Sequence, residues 1–406
     1  MPRLIHWLTL SAIALGGFYF WESGLPQLSH ITMSIAMALY LLQTQFYWQR
    51  WWKWLVYFVA YCFVTNITVY ILHRDLHSLY SALYYVFDAL VFVHIIALAE
   101  RVGTERFLKN VFAIGWVLLM FEVALVVSGR GRVFGGTRSM GTFNDPNQMA
   151  NWVIIVTMCL FAIGWSLYRS WIAGAVASGV AFVLTAFSAS RSGALGLMVI
   201  LIVVGLIGVL RLYAMLSGKI KIRRERLLWA GAVVSLAVVF GAAGLLIEET
   251  RGVVVASVGS LADRVDYWVN RFGEASPWTS LEGRGYDRLW KFPEYLVFGA
   301  GEGANHRWSE KTWFLGEIHS TPAGLIFYYG VLGSVLFGIF VWNLVKRLGN
   351  VWFRLILLAP FVYSIGTYNL RNWFLWIGMA ILYVAARHAG KPSGTNSTAE
   401  GVAPTF

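Results

Sequence analysis

The residues hardest to explain as packing are a histidine and a set of arginines. His319 stands in His319-Ser320-Thr321-Pro322, where Ser320 or Thr321 is fit to cap a helix and Pro322 suits its first turn. Imidazole is the one side chain whose ordinary pKa suits proton abstraction near neutrality. A histidine at a helix start is also commonly an interface residue holding a hydrogen bond. Its company here argues for more, because it closes a stretch containing Gly283-Arg284-Gly285-Tyr286-Asp287-Arg288-Leu289-Trp290. Guanidinium forks bind anions bidentately without a metal, so Arg284 and Arg288 are candidate contacts to an anionic substrate and His319 a candidate base.

Three further places carry candidates. Ser188-Ala189-Ser190-Arg191-Ser192-Gly193 leaves almost no loop between two apolar runs, which puts Arg191 beside the membrane, where it needs an anionic partner or must snorkel to the interface. Gly141-Thr142-Phe143-Asn144-Asp145-Pro146-Asn147 reads as a turn entering a helix, with Asp145 as cap and Pro146 as first residue; Asn147 is a secondary substrate-binding candidate. Phe298-Gly299-Ala300-Gly301-Glu302-Gly303-Ala304 has the glycines of a dinucleotide fingerprint without its strand and helix, so a nucleotide site is rejected.

Metal chemistry finds little support. His73 and His77 stand four apart without a convincing third ligand, and Asp263 and Asp266 are interleaved with Arg264. Cys62 and Cys159 fall inside apolar runs, against a disulfide framework or a thiolate site. No metal and no cofactor are expected. Asp88 and Glu122 lie within apolar runs and mark either a proton path or a satisfied interhelical bond.

The elements that must position these residues are set by composition. Of 406 residues 58% are hydrophobic and 13% charged, about half the charge of a soluble domain. Twelve apolar runs approach the ~20 residues that cross hydrocarbon, near 4–21, 29–48, 52–72, 79–98, 107–128, 148–167, 171–189, 192–213, 228–247, 321–344, 352–369 and 372–387. The fold class is an all-α integral membrane protein of about twelve transmembrane helices, with a long helical periplasmic loop between the ninth and tenth. Ala12-Ile13-Ala14 resembles a signal-peptidase site, but the stretch before it is short and an uncleaved first helix is expected.

An even number of spans puts both termini on one side. With that side inside, 18 of the 32 lysines and arginines are cytoplasmic, and the short outer loops hold only Arg74, Arg130, Arg132, Arg138, Arg191 and Arg371, as the positive-inside rule requires. The net charge of +12 is therefore topological and no nucleic-acid partner is expected. Four parts follow: 1–248 with spans 1–9, the periplasmic loop domain 249–319, 320–388 with spans 10–12, and a disordered cytoplasmic tail 389–406.

Within the loop, Val254, Val258, Leu261, Val265, Trp268 and Phe272 recur at helical spacing. They predict an amphipathic helix lying on the membrane lipids, with Arg264 and Arg271 on one face and Arg264 placed to meet an anionic headgroup.

The motifs 141–150, Ser190-Arg191-Ser192-Gly193-Ala194, Arg288-Leu289-Trp290 with Gly299-Ala300-Gly301, and His319-Ser320 leading into Gly330-Val331-Leu332-Gly333 occur in the order typical of the O-antigen ligase and polymerase superfamily. The chain resembles that family over roughly 135–340, with His319-Ser320 where many relatives have His-Asn. The resemblance implies a metal-independent, inverting glycosyltransferase of the bacterial inner membrane with its active site facing the periplasm. It would move O-antigen polysaccharide from an undecaprenyl-pyrophosphate-linked glycan donor to a lipid A-core acceptor. Arg191 and Arg288 match family arginines and Arg264 is a looser third. Protein-glycosylating relatives often carry a large C-terminal soluble domain, not found in this sequence, which favours a ligase over a protein O-oligosaccharyltransferase, while an O-antigen polymerase, sharing donor and site, stays an alternative. A transporter or lipid flippase, with Asp88 and Glu122 as ion relay, is the alternative of another class.

Overall fold

A computed structural model describes residues 2–22, 25–43, 48–135, 137–217, 263, 265, 280–312 and 314–390. The expected ninth span, the amphipathic helix apart from Val265, Arg264 and Arg271 with it, and the tail from Lys391 lie outside the described residues. Helices α1 (Pro2–Leu15), α2 (Leu28–Gln43), α3 (Lys53–His73), α4 (Leu76–Val102), α5 (Thr104–Val127), α6 (Pro146–Tyr168), α7 (Ile172–Ser188) and α8 (Arg191–Leu216) come first. After the loop come α9 (Thr321–Arg347), α10 (Val351–Ile356), α11 (Leu358–Tyr363) and α12 (Trp373–Ala389).

Among the described residues six helices, α3 with the turn before it, α4, α5, α6, α8 and α9, are long and apolar enough to cross a membrane; α2, α7, α10–α11 and α12 are shorter and apolar. Large apolar side chains point outward from the bundle, with Leu42, Leu72 and Val117 83%, 70% and 68% exposed. Hydrocarbon, which offers no hydrogen bonds, accepts such a surface without cost. The described residues are those of a predominantly helical, multi-pass membrane protein. In contrast, α12 is buried from Trp373 to Ala386 and packs on α4 and α6, as a helix apolar on every side must.

Two elements depart from the expectation. A short antiparallel hairpin, β1 (Arg132–Phe134) with β2 (Arg138–Gly141), precedes α6. The run 352–369, expected as one span, is two short helices that end at Tyr363. Pro360 supplies the reason: it has no N–H to donate, and its ring presses on the carbonyl four residues back, that of Ile356, the last residue of α10. That accounts for the break between the two helices; the second then ends at Tyr363, with Ser364 N–H still donating to the Pro360 carbonyl (3.0 Å), and residues 364–372 are non-helical.

A second interruption lies inside α9, where Gly330 adopts φ 63° and ψ −173°. The amides freed there are taken by the loop, Val331 N–H by the Leu296 carbonyl (2.8 Å) and Leu332 N–H by that of Val297 (3.4 Å). A Cβ at Gly330 would collide with the Val297 carbonyl, so glycine is required for conformation and for space.

The connections α1–α2, α3–α4, α5–α6, α7–α8 and α11–α12 gather with 280–320 at one end of the bundle, the loop face. Tyr19 N–H donates to the Thr142 carbonyl (3.2 Å) and Thr321 N–H to that of Ser364 (2.8 Å). Arg138 Nε donates to the Ser188 carbonyl (2.9 Å) and Ser78 Oγ to that of Glu302 (2.7 Å). Alternation of helix direction puts every second connection on this face.

Candidate functional site

The glycine run 299–303 inserts between α3, α4 and α9. Gly299 at φ 85° backs onto the main chain of Tyr328 and Tyr329 so closely that a Cβ would clash, and Ala300 and Gly301 donate to the Phe327 and Tyr328 carbonyls at 2.9 and 2.8 Å. Arg307 holds the run from the other side, donating to the carbonyls of Ala300, Gly301, Gly303 and Ala304. The run exists to deliver Glu302. The Glu302 N–H donates to Asn66 Oδ1 (2.8 Å), and its Oε1 accepts from the hydroxyls of Tyr85, Tyr329 and Tyr368, each at 2.6 Å. Its Oε2 lies 2.8 Å from Arg371 Nε as a charge contact.

Arg371 stands on the non-helical segment 364–372 between α11 and α12, and it also meets Glu317 and donates to Ser81 Oγ (2.9 Å). One guanidinium therefore serves two carboxylates that respond oppositely. Burial alone would raise the Glu302 pKa, but Arg371 and the three hydroxyls outweigh it and hold the carboxyl below its usual range. Glu317 is pushed up to about 7, chiefly by burial and further by Glu302, against the pull of Arg371. Its side chain is 33% exposed, yet it opens into a recess walled by protein, so it is accessible and poorly solvated at once.

That recess is a cavity of about 320 Å³ on the loop face, reaching from α1–α2 (Tyr19, His30) across α4 (Tyr80, Tyr84) to Glu317 and Arg371. Ligand pockets span roughly 300–1,000 Å³, so one small group fits.

Beside the cavity, with buried Ile318 between it and Glu317, is His319. Its backbone N–H donates to the Arg284 carbonyl (3.0 Å), and its ring packs on Phe314 at 5.3 Å. The ring is exposed, but the surrounding protein lowers its pKa by desolvation, then by Arg284 and Arg288, while Asp145 pulls the other way. The imidazole is thus neutral at neutral pH and borders the N-terminus of α6. Ser320 caps α9 as expected, accepting from Ala323 N–H at 3.3 Å. Asp145 caps α6, accepting from Asn147 and Gln148 N–H at 2.7 and 3.3 Å.

The remaining candidates divide by placement. Arg284 reaches across to the Gly366 carbonyl (3.1 Å), next to Ser192 on the first turn of α8, whose hydroxyl a Cβ at Gly366 would strike. Arg191, half-buried, opens that same turn after its cap Ser190. Asn147 Oδ1 accepts from Ser190 Oγ (2.8 Å) and Arg138 Nη2 (3.3 Å), so Asn147 ties α6 to the α7–α8 turn. His319, Arg284, Arg191 and Asn147 share one neighbourhood. Arg288 does not present itself there: it is wholly buried, donates through Nη2 to the Phe314 and Gly316 carbonyls at 2.7 and 2.6 Å, and shapes the segment leading to His319. Arg264 lies outside the described residues, although Val265 packs on Ala186, Ala189 and Ala194 of the α7–α8 turn.

Glu122 is satisfied by the N–H and hydroxyl of Thr142, a bond from α5 to the turn ahead of α6 and not one between helices. Asp88 is buried, and neither of its oxygens meets a hydrogen-bond donor among the described residues. No group of three metal-ligating side chains converges among the described residues. Glu302, Glu317 and the three tyrosines were not legible as a site; the only signals were an acid among glycines and an arginine, Arg371, on the side where topology disfavours it. Compared with known proteins, the chain matches no family profile and no curated protein.

Proposed function

We propose that the chain is a glycosyltransferase of the O-antigen ligase and polymerase type, seated in the bacterial inner membrane with its loop face toward the periplasm. On this reading it transfers O-antigen polysaccharide from undecaprenyl pyrophosphate to a sugar hydroxyl of lipid A-core. The observation that carries the reading is His319, an exposed and neutral imidazole flanked by Asp145 and Arg284, with arginines on one side and a polar cavity on the other.

The chemistry follows from those neighbours. The acceptor hydroxyl gives its proton to His319 while its oxygen bonds to the anomeric carbon. The bond from that carbon to the phosphate oxygen breaks, and its electron pair leaves with the pyrophosphate. Attack opposite the leaving group inverts the anomeric centre. Arg191 and Arg284, with Arg264 assigned by resemblance alone, neutralise the departing charge as a divalent ion would elsewhere. Asn147 keeps the α6 and α8 termini in register, and Arg288 holds the His319 segment.

The test is transfer by purified protein in nanodiscs, without an ion gradient, from undecaprenyl-pyrophosphate-linked glycan to lipid A-core. Joining of the two substrates upholds the reading. Absence of transfer with every acceptor tried, alongside substrate movement driven by a gradient, would favour a transporter.

A further inference from the structure

The cavity beside His319 has a composition that its neighbourhood does not share. The α6–α8 side of His319 carries Arg138, Arg191 and Arg284, with Asp145 as the near acid. In the cavity one guanidinium, Arg371, is matched by two carboxylates, Glu302 behind it and Glu317 at the wall. The lining offers one guanidinium already paired to carboxylates, one carboxylate and the histidines His30 and His77, which at the ordinary imidazole pKa are mostly neutral at neutral pH, so a pyrophosphate finds no surplus of positive charge there. A neutral, hydroxyl-rich group gains much, because a carboxylate accepts from hydroxyls and a guanidinium donates to them. Both side chains are reachable, at 33% and 18% exposure.

The aromatic walls complete the argument. Tyr80 is 45% exposed on the first turns of α4, and Tyr84, one turn deeper, lines the same recess. Tyr84 is braced by His30 at 6.0 Å, which in turn packs on Trp373 at 5.0 Å. Flat apolar faces held rigid beside paired polar forks suit a pyranose ring, which has a carbon–hydrogen face and a hydroxyl rim. The volume of about 320 Å³ accommodates one such ring.

We propose that this cavity seats a neutral saccharide ring of the acceptor, with Glu317 and Arg371 taking its hydroxyls and Tyr80 and Tyr84 its carbon face. The identification of that ring as the acceptor's rests on the transferase reading above; the saccharide chemistry does not. Glu317 and His319 are separated only by Ile318, whose N–H is pinned to the Tyr328 hydroxyl at 3.0 Å, so the carboxylate that holds the ring and the base stand two residues apart on one fixed stretch of chain.

The experiment measures binding apart from turnover. Core oligosaccharide freed of its lipid is titrated into the full-length protein in nanodiscs and followed by saturation-transfer NMR, with an oligosaccharide of the O-antigen repeat lacking pyrophosphate as the second arm. Wild type binds the core oligosaccharide, and Glu317→Gln and Tyr80→Ala each weaken it at least tenfold while affinity for the undecaprenyl-pyrophosphate glycan changes less than threefold. Tyr80 is exposed and Glu317→Gln keeps its shape, so both variants fold, which an unchanged helical circular-dichroism spectrum and a monodisperse gel-filtration profile verify. Wild type that binds no core oligosaccharide, variants that bind it undiminished, or binding of the repeat alone would overturn the proposal. Failure of the transferase reading is distinct: core oligosaccharide that binds and responds to both variants, in a protein that transfers nothing, upholds the cavity and removes the transferase.

Discussion

Glu302 Oε2 and Arg371 Nε meet at 2.8 Å in a setting where the two side chains are 3% and 18% exposed. The pair joins the glycine run to the segment ahead of α12, and three tyrosine hydroxyls complete the carboxylate. Removing one partner of a buried pair costs up to about 3–5 kcal/mol; here Arg371 keeps Glu317, so the loss is smaller, but three tyrosine hydroxyls also lose their charged acceptor. Glu302→Gln should therefore lower the thermal midpoint of the detergent-solubilised protein clearly, read by tryptophan fluorescence. An unchanged midpoint would mean that the pair is solvated in the membrane.

His319→Ala should reduce transfer by about 10²–10⁴-fold while donor binding persists. Full activity in that variant removes the base.

The pH dependence has a fixed sign. A base works neutral, and burial with Arg284 and Arg288 lowers the His319 pKa below 6.5, so kcat/KM should hold its plateau below pH 6.5 and fall only as pH drops through the depressed value. Arg284→Ala removes one lowering charge and should move this acid limb to higher pH. A limb that stays put in the variant contradicts the placement of Arg284.

Glu317 predicts a slope in stability. Its folded pKa of about 7 lies above its usual 4.5, so the folded state holds the extra proton between those values and stability should fall as pH rises through that window. The contribution of Glu302, whose pKa is lowered, falls below pH 4.5 and does not interfere. Thermal midpoints of Glu317→Gln should lack the slope; a parallel slope in both proteins assigns it to another group.

Arg191→Ala should weaken binding of the pyrophosphate donor by roughly 10–100-fold, the worth of about 1.5–3 kcal/mol for a hydrogen bond to a charged group, and excess chelator should leave wild-type turnover undiminished. Equilibrium binding of donor to the variant, and turnover with and without chelator, check the two halves. Donor affinity equal to wild type, or activity restored only by divalent ions, counts against an arginine clamp.

What the sequence determined by itself was whatever repeats locally. Apolar length located helices at every expected run that the structure describes, because crossing hydrocarbon requires each backbone N–H to be satisfied within its own segment. Caps such as Asp145 with Pro146 and Ser320 with Pro322 were readable because capping joins residues two or three apart. The gathering of His319, Arg191, Arg284 and Asn147 on one face followed from helix alternation. What only the tertiary structure decided was which charges meet. Glu302 and Arg371, the three tyrosines that converge on one oxygen, and the burial of Arg288 behind the loop all depend on contacts between segments far apart in the chain. The cavity likewise has walls from α1–α2, α4, the loop and the segment between α11 and α12, and no single stretch encodes a space that several must enclose.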